Sequence, residues 1–286
     1  MEDDAITLAA RTTSNGAINA QTTSGTLTVS TVNGVTGVNA NGSGNIALTA
    51  TSSVGDGLYV GQAVQSGSGN ITLTGTTSAS TSTPDSGIQL AANVTGNNIT
   101  LTGNATGAGN PVALGIRASS GSVNAAGTLN LEGMTSGSGA GVYVYGTAAL
   151  SADKGLSLKG TSAMGHGVKL DQAGSGGTLV QLSNTSSGGI SIEGRTGDTV
   201  NKTAITLNGM SATNGGGAIT LTATQGKVDA TTTFGGTNTL TQNANANVTI
   251  TTQSDGDILV PKIVKTGTGA GDIVIAAGSN LAAGTT

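Results

Sequence analysis

An all-β, right-handed parallel β-helix, a three-sided solenoid of about ten turns, is the architecture that this 286-residue sequence predicts. A phrase of alternating aliphatic and hydroxyl residues, usually introduced by Gly or Asn, recurs along the whole chain. It reads Ile46-Ala47-Leu48-Thr49, Ile71-Thr72-Leu73-Thr74, Ile99-Thr100-Leu101-Thr102 and Ile219-Thr220-Leu221-Thr222, with variants such as Leu129-Asn130-Leu131, Leu156-Ser157-Leu158 and Ile190-Ser191-Ile192. Composition points the same way, because 49 glycines and an aromatic content of 1% leave little bulk for a globular core. Self-similarity at a period of roughly 20–50 residues signals stacked repeats and outweighs local propensity.

The first aliphatic of each phrase marks one strand per turn: Ile6, Leu27, Ile46, Ile71, Ile99, Leu129, Leu156, Ile190, Ile219, Val248 and Ile273. Spacings run from 19 residues (Leu27 to Ile46) to 34 (Leu156 to Ile190), so the length variation belongs in loops. A second series lies between the markers, at Gly34-Val35, Gly57-Leu58-Tyr59-Val60, Gly87-Ile88-Gln89-Leu90, Val112-Ala113-Leu114, Gly141-Val142-Tyr143-Val144 and Gly167-Val168-Lys169-Leu170. A third, weaker series contains Ile18, Val64, Val94, Val123, Leu150 and Leu179. Three short strands per turn, separated by Gly, Ser, Asn and Asp, describe three sides.

Strand alternation turns each marker and the residue two later inward. Ile46, Ile71, Ile99, Leu129 and Leu156 then form one interior column, and Leu48, Leu73, Leu101, Leu131 and Leu158 its partner. Each such side chain contributes ~1.5–3 kcal/mol on burial. The same register puts Thr74, Thr102, Glu132 and Lys159 in one outward column, with Glu193 next, so Glu132 and Lys159 become neighbours. Pro84 and Pro111 fall between strands and Pro261 ends the run Ile258-Leu259-Val260, where a missing N–H does no harm. Ten turns at ~4.8 Å each make a rod roughly 50 Å long.

The charged fraction is 8% and the net charge −4, a poor match to the low-hydrophobicity, high-charge signature of disorder. The same mild acidity offers no basic stripe and argues against nucleic acid as a partner. The chain has no cysteine, so disulfides, thiol nucleophiles and Cys-based metal sites are out, which suits a protein exported unfolded. No apolar run approaches the ~18 residues of a membrane helix. Met1-Glu2-Asp3-Asp4 is acidic and leads straight into a strand, unlike a signal peptide. Residues 1–286 therefore read as a single repeat segment, cut in mid-pattern from a longer chain.

Candidate chemistry is sparse, and no catalytic, cofactor or metal residues are assigned. The acids Asp56, Asp85, Glu132, Asp153, Asp171, Glu193, Asp198 and Asp229 are scattered, whereas glycoside cleavage needs two carboxylates ~5–10 Å apart. His166, the one histidine, sits in Gly165-His166-Gly167 and reads as an exposed turn residue. Asp255-Gly256-Asp257 and Gly271-Asp272 lack the repeated oxygen ligands of calcium-binding rolls and read as turns. Paired outward threonines at Thr72/Thr74 and Thr100/Thr102 suggest an ice-binding array, but Asn130/Glu132 and Ser157/Lys159 break it. Phe234 reads as a plug in an irregular turn. Tyr59, Tyr143 and Tyr145 occupy outward positions of the second series. Each is either a β-forming residue filling a slot or a flat, hydroxylated ring on which a glycan stacks.

The pairing of Gly69-Asn70-Ile71-Thr72-Leu73-Thr74-Gly75 with Ser86-Gly87-Ile88-Gln89-Leu90, and of Gly127-Thr128-Leu129-Asn130-Leu131-Glu132-Gly133 with Gly139-Ala140-Gly141-Val142, resembles the repeat region of filamentous-haemagglutinin-like exoproteins. The likeness is one of repeat style over nearly the whole chain, and the family's amino-terminal secretion domain has no counterpart here. It implies a structural or adhesive rod of a two-partner-secretion adhesin, secreted or held at the bacterial cell surface. It further implies host or matrix glycans or surface receptors as partners, and an outer-membrane transporter during export. Such a rod is monomeric and not an enzyme, with open strand edges that favour end-to-end association. A glycan-binding face is the second reading and a polysaccharide lyase or hydrolase the third.

Overall fold

The computed structural model describes residues 4–79, 84–107, 112–174, 177–198, 200, 203–233, 236–254, 256–267 and 271–278. Among them the chain is all β, without a helix, and forms three parallel sheets stacked as a solenoid of about nine turns. The marker sheet has ten strands, from Ile18–Thr22 to Ile273–Ala276. The second sheet has nine, from Ile6–Leu8 to Lys227–Asp229, and the third has ten, from Ala10–Thr12 to Lys262–Lys265. Successive strands visit the second, third and marker sheets in turn, so the interior strands of each sheet pair with their equivalents one turn before and after.

Register follows the aliphatic columns. Ile71 pairs with Ile46 on one side and Ile99 on the other, and the column runs on through Leu129, Leu156, Ile190, Ile219 and Val248 to Ile273. Leu48, Leu73, Leu101, Leu131 and Leu158 stack beside it, and both columns are buried from Ile46 to Ile250. Thr74, Thr102, Glu132, Lys159 and Glu193 face outward in consecutive turns, with Lys159 Nζ 3.3 Å from Glu132 Oε1.

The sequence pattern is misphased at four places. Ile6 and Leu27 belong to the second sheet, and Ile18, expected in the third series, is the residue beneath Ile46. Ile18-Asn19-Ala20 carries Ala where later turns carry Leu, whereas Leu27-Thr28-Val29 imitates the marker phrase. Gly34-Val35 lies in a small antiparallel hairpin, Thr31–Val32 against Val35–Thr36, inserted into that turn. Asn33 and Gly34 at its tip have φ of 49° and 81°, the double positive φ that a two-residue hairpin turn requires. In the next correction Ile116, not Val112 or Leu114, stacks on Ile88, and in the last Leu182 replaces Leu179 above Leu150.

Two inward features complete the cross-section. Gly75, Gly103, Gly133, Gly160 and Gly194 stack in the marker sheet, where a β-carbon on any of them would run into backbone carbonyls entering the second sheet, at Gly87, Gly115, Gly141, Gly167 and Ala204. Two residues on, buried hydroxyls turn the corner: Thr77 Oγ1 donates to the Gly55 carbonyl (2.6 Å), Thr135 Oγ1 to Ala113 (2.8 Å) and Ser162 Oγ to Gly139 (2.8 Å). The Asn that introduces the marker phrase is also explained. Asn45 Oδ1 accepts the Asn70 N–H at 2.8 Å, Asn70 Oδ1 the Asn98 N–H at 3.2 Å, and Asn98 Oδ1 the Thr128 N–H at 3.0 Å. Each side chain thereby satisfies a backbone donor of the next turn outside the ladder.

Candidate functional site

The outer face of the second sheet carries two columns of polar and aromatic side chains. Strand alternation places Tyr59, Gln89, Arg117, Tyr143, Lys169, Thr206 and Asp229 in one outward column, each in register with the next. Tyr145, Asp171 and Asn208 continue a second column two residues along. The three tyrosines are half-buried, and only two of them meet. Tyr143 and Tyr145 stack at 5.0 Å between ring centroids with an interplanar angle of 12°. Tyr59 stands three turns away, its ring lying over Gly61.

Cations hold the tyrosine pair. The Arg117 guanidinium lies 5.4 Å from the Tyr145 ring centroid and donates through Nη2 to the Tyr145 hydroxyl at 3.0 Å. Lys169 Nζ lies 5.0 Å from the Tyr143 centroid. Such contacts contribute about 0.5–2 kcal/mol. Asp171, which is buried, gathers the other ends: Lys169 Nζ at 3.1 Å, the Tyr143 hydroxyl at 3.2 Å and Asn208 Nδ2 at 2.6 Å. Burial first, and the Asp171 charge second, push the Tyr143 hydroxyl far above its usual range, so it stays a donor. The π faces are thus engaged within the chain, leaving ring edges and Tyr59 for any stacked ligand.

Sequence reading places Asp171 only among the scattered acids and does not single out Arg117, Lys169 and Asn208. Gln89, Tyr143 and Lys169 share the middle position of Gly-aliphatic-x-aliphatic, so this column was legible in principle. Arg117 escapes because Val112-Ala113-Leu114, just upstream, imitates the strand phrase that Ile116-Arg117-Ala118 supplies.

His166 is half-buried, not an exposed turn residue. Its Nδ1 lies 2.9 Å from Thr206 Oγ1, and burial, followed by the nearby Lys169 charge, lowers its pKa so that the neutral ring is favoured. It lines a cleft of about 560 Å³ with Ser138, Met164, Asp198, Thr203 and Lys227. Two other clefts measure about 370 and 300 Å³, the first over the marker sheet at Asn130 and Ser157, the second beside Met134 and Arg195.

Carboxylates pair with lysines: Glu132 with Lys159, Asp171 with Lys169, and Asp229 with Lys227 at 3.7 Å. Among the described residues no group of three or more His, Asp or Glu is arranged to hold a metal ion. Asp255, Pro111 and Phe234 lie outside the described residues.

Asp56 is half-buried at the corner entering the second sheet, with Oδ1 accepting the Ser86 N–H at 2.7 Å. Desolvation, with Asp85 adding, raises its pKa from 3.8 to about 6. A carboxyl whose folded pKa exceeds its unfolded value opposes folding above the folded pKa. The native state then gains stability as pH falls from about 6 towards 3.8. Asp56→Asn keeps the acceptor and removes the charge. It is expected to stabilise the protein by about 1–3 kcal/mol at pH 7.5, a gain that shrinks as pH falls below about 6 and is mostly lost by pH 4. Urea titrations of both proteins across that range check this, and an unchanged stability difference would refute it.

Compared with family models, curated proteins and solved structures, this chain has no match.

Proposed function

We propose that this chain is a structural and adhesive rod segment of a secreted or surface-anchored bacterial exoprotein, serving attachment to cells, surfaces or biofilm matrix. The observation that carries the reading is the unbroken marker column, in register from Ile18 to Ile273. Inside, this column carries Ile, Leu or Val in every turn. Outside, the same slot changes freely, through Thr102, Glu132, Lys159 and Glu193. A chain that holds its axis constant and lets its surface vary is built to span distance.

Repeat style supports membership among two-partner-secretion exoproteins, with an outer-membrane transporter as the export partner. The pairing of Glu132, Asp171 and Asp229 with lysines, and the scatter of the other acids along the chain, support a non-enzymatic reading. A second reading, a glycan-binding face, is favoured by the polar and aromatic columns of the second sheet.

Ten strands at ~4.8 Å give a rod about 45 Å long. Small-angle scattering should return that axial dimension for a monomer, and beads coated with the protein should adhere to epithelial cells or biofilm matrix above beads coated with an inert protein. A compact particle, or release of reducing ends from acidic polysaccharides, would overturn the reading.

A further inference from the structure

The cleft beside His166 is assembled by four consecutive turns. Ser138 precedes the strand Val142–Tyr145, Met164 and His166 precede Val168–Asp171, Asp198 and Thr203 enter Thr203–Asn208, and Lys227 opens Lys227–Asp229. Three turn spacings give it a length of about 14 Å along the rod.

Its walls alternate donors and acceptors. The imidazole is anchored through Nδ1 by Thr206, and its burial favours the neutral ring. Lys227 reaches Asp229 at 3.7 Å, a loose pair that leaves ammonium protons to offer. Asp198 is oriented by its own loop, its N–H donating to Thr196 Oγ1 and its Oδ1 accepting the Val200 N–H at 2.7 Å. Among the described residues the charges here are the Asp198 carboxylate and the Lys227–Asp229 pair, so no cluster of like charge lines the space to attract a polyanion or a metal cation. Apolar surface frames the mouth, with Met164 55% exposed and Val200 84% exposed. An isolated exposed aliphatic needs no explanation, but two at the lip of a polar cleft do.

We propose that this cleft binds a neutral oligosaccharide two to three sugars long, lying along the rod axis. Its hydroxyls meet His166, Lys227 and the oxygens of Ser138, Asp198 and Thr203, and the apolar face of one ring rests on Met164. Hydroxyl-rich ligands need such interleaved partners, and a pyranose carries a C–H face that a thioether covers. The binding deepens the adhesive reading by giving the rod a side-on contact. It stands apart from the tyrosine pair, whose faces are occupied.

Titration calorimetry of the purified protein against chitotriose, cellotriose and mannotriose, with trigalacturonate and a sulfated disaccharide alongside, tests this. Saturable binding of at least one neutral trisaccharide is expected, weakened at least tenfold by Lys227→Gln and by Met164→Ala and unchanged by Thr72→Val on the marker sheet. Circular dichroism and melting verify that the variants keep their fold. Should Lys227→Gln disturb it, Met164→Ala on an exposed loop still decides. No binding of any neutral trisaccharide, binding indifferent to both cleft variants, or preference for the charged sugars would each overturn the proposal. Scattering dimensions and bead adhesion report on the rod separately, so a failed titration leaves that reading standing.

Discussion

Gly133→Val is expected to destabilise the centre of the rod by about 3 kcal/mol or more and to abolish amide-exchange protection there. A β-carbon at Gly133 would stand 2.0 Å from the Gly141 carbonyl oxygen, 2.7 Å from its carbon and 2.9 Å from Val142 Cγ2. The first two obstacles are backbone and cannot rotate away. Relief requires the marker and second sheets to part, and each sheet is hydrogen-bonded to the turns above and below. Gly103 and Gly160, the register neighbours, face the same obstruction at 2.2 and 1.9 Å. The strain therefore spreads along the column.

The glycine run gives way to Ala50 on one side and Ala223 on the other, both buried, so the cross-section admits a methyl group where the glycine ladder stops. Gly133→Ala should accordingly be intermediate, and Thr72→Val, on the outward face, close to neutral. Urea unfolding gives the stability loss. Hydrogen exchange should show protection lost around 129–145 and kept around 46–66, because a solenoid fails locally at its weakest interface. A Gly133→Val variant as stable as the parent would mean that the two sheets are not in backbone contact.

How far the sequence could be read follows from what each feature depends on. The marker column was legible because it needs only local alternation, and alternation survives loops of any length. The first two turns were misread because Leu27-Thr28-Val29 imitates a marker phrase and an Asn33-Gly34 hairpin alters the spacing that would have exposed it. Recurrent Gly75, Gly103, Gly133 and Gly160 stand in plain view in the sequence, but the carbonyls opposite them belong to the next strand. The outward tyrosines could be placed, since a side follows from parity. Their partners could not, because Arg117 and Asp171 come from flanking turns whose phase depends on loop lengths. The His166 cleft was illegible for the same reason, being made from loops of irregular length across four turns.

Asn214→Ala is expected to cost about 3 kcal/mol, confined to the carboxy-terminal half of the rod. In the third sheet one inward column consists of small residues in the earlier turns, Ala40, Ser66, Gly96, Ala125 and Ala152. There the space is taken by neighbours: a β-carbon on Gly96 would stand 2.9 Å from Ile71 Cδ1. From Asn184 onward the same column carries amides, Asn184, Asn214 and Gln242, all of them buried. Asn184 Nδ2 donates to Asn214 Oδ1 at 2.8 Å, and Asn214 Nδ2 to Gln242 Oε1 at 3.1 Å and to the Gly217 carbonyl at 3.0 Å. Truncation opens a cavity and deprives the Asn184 amide of one acceptor. Gln242 Oε1 keeps the Ala244 N–H and the Gly217 carbonyl keeps Gln242 Nε2, which bounds the loss. Asn214→Leu separates the two contributions, because it fills the space while still leaving Asn184 without that acceptor. If hydrogen bonding holds the column, Asn214→Leu remains destabilised by about 1–3 kcal/mol in urea. Exchange protection then falls around 180–188, 210–217 and 238–244 while residues 46–105 are untouched. A leucine variant equal to the parent would show instead that packing alone keeps these turns in line and that the amides serve only to fill them.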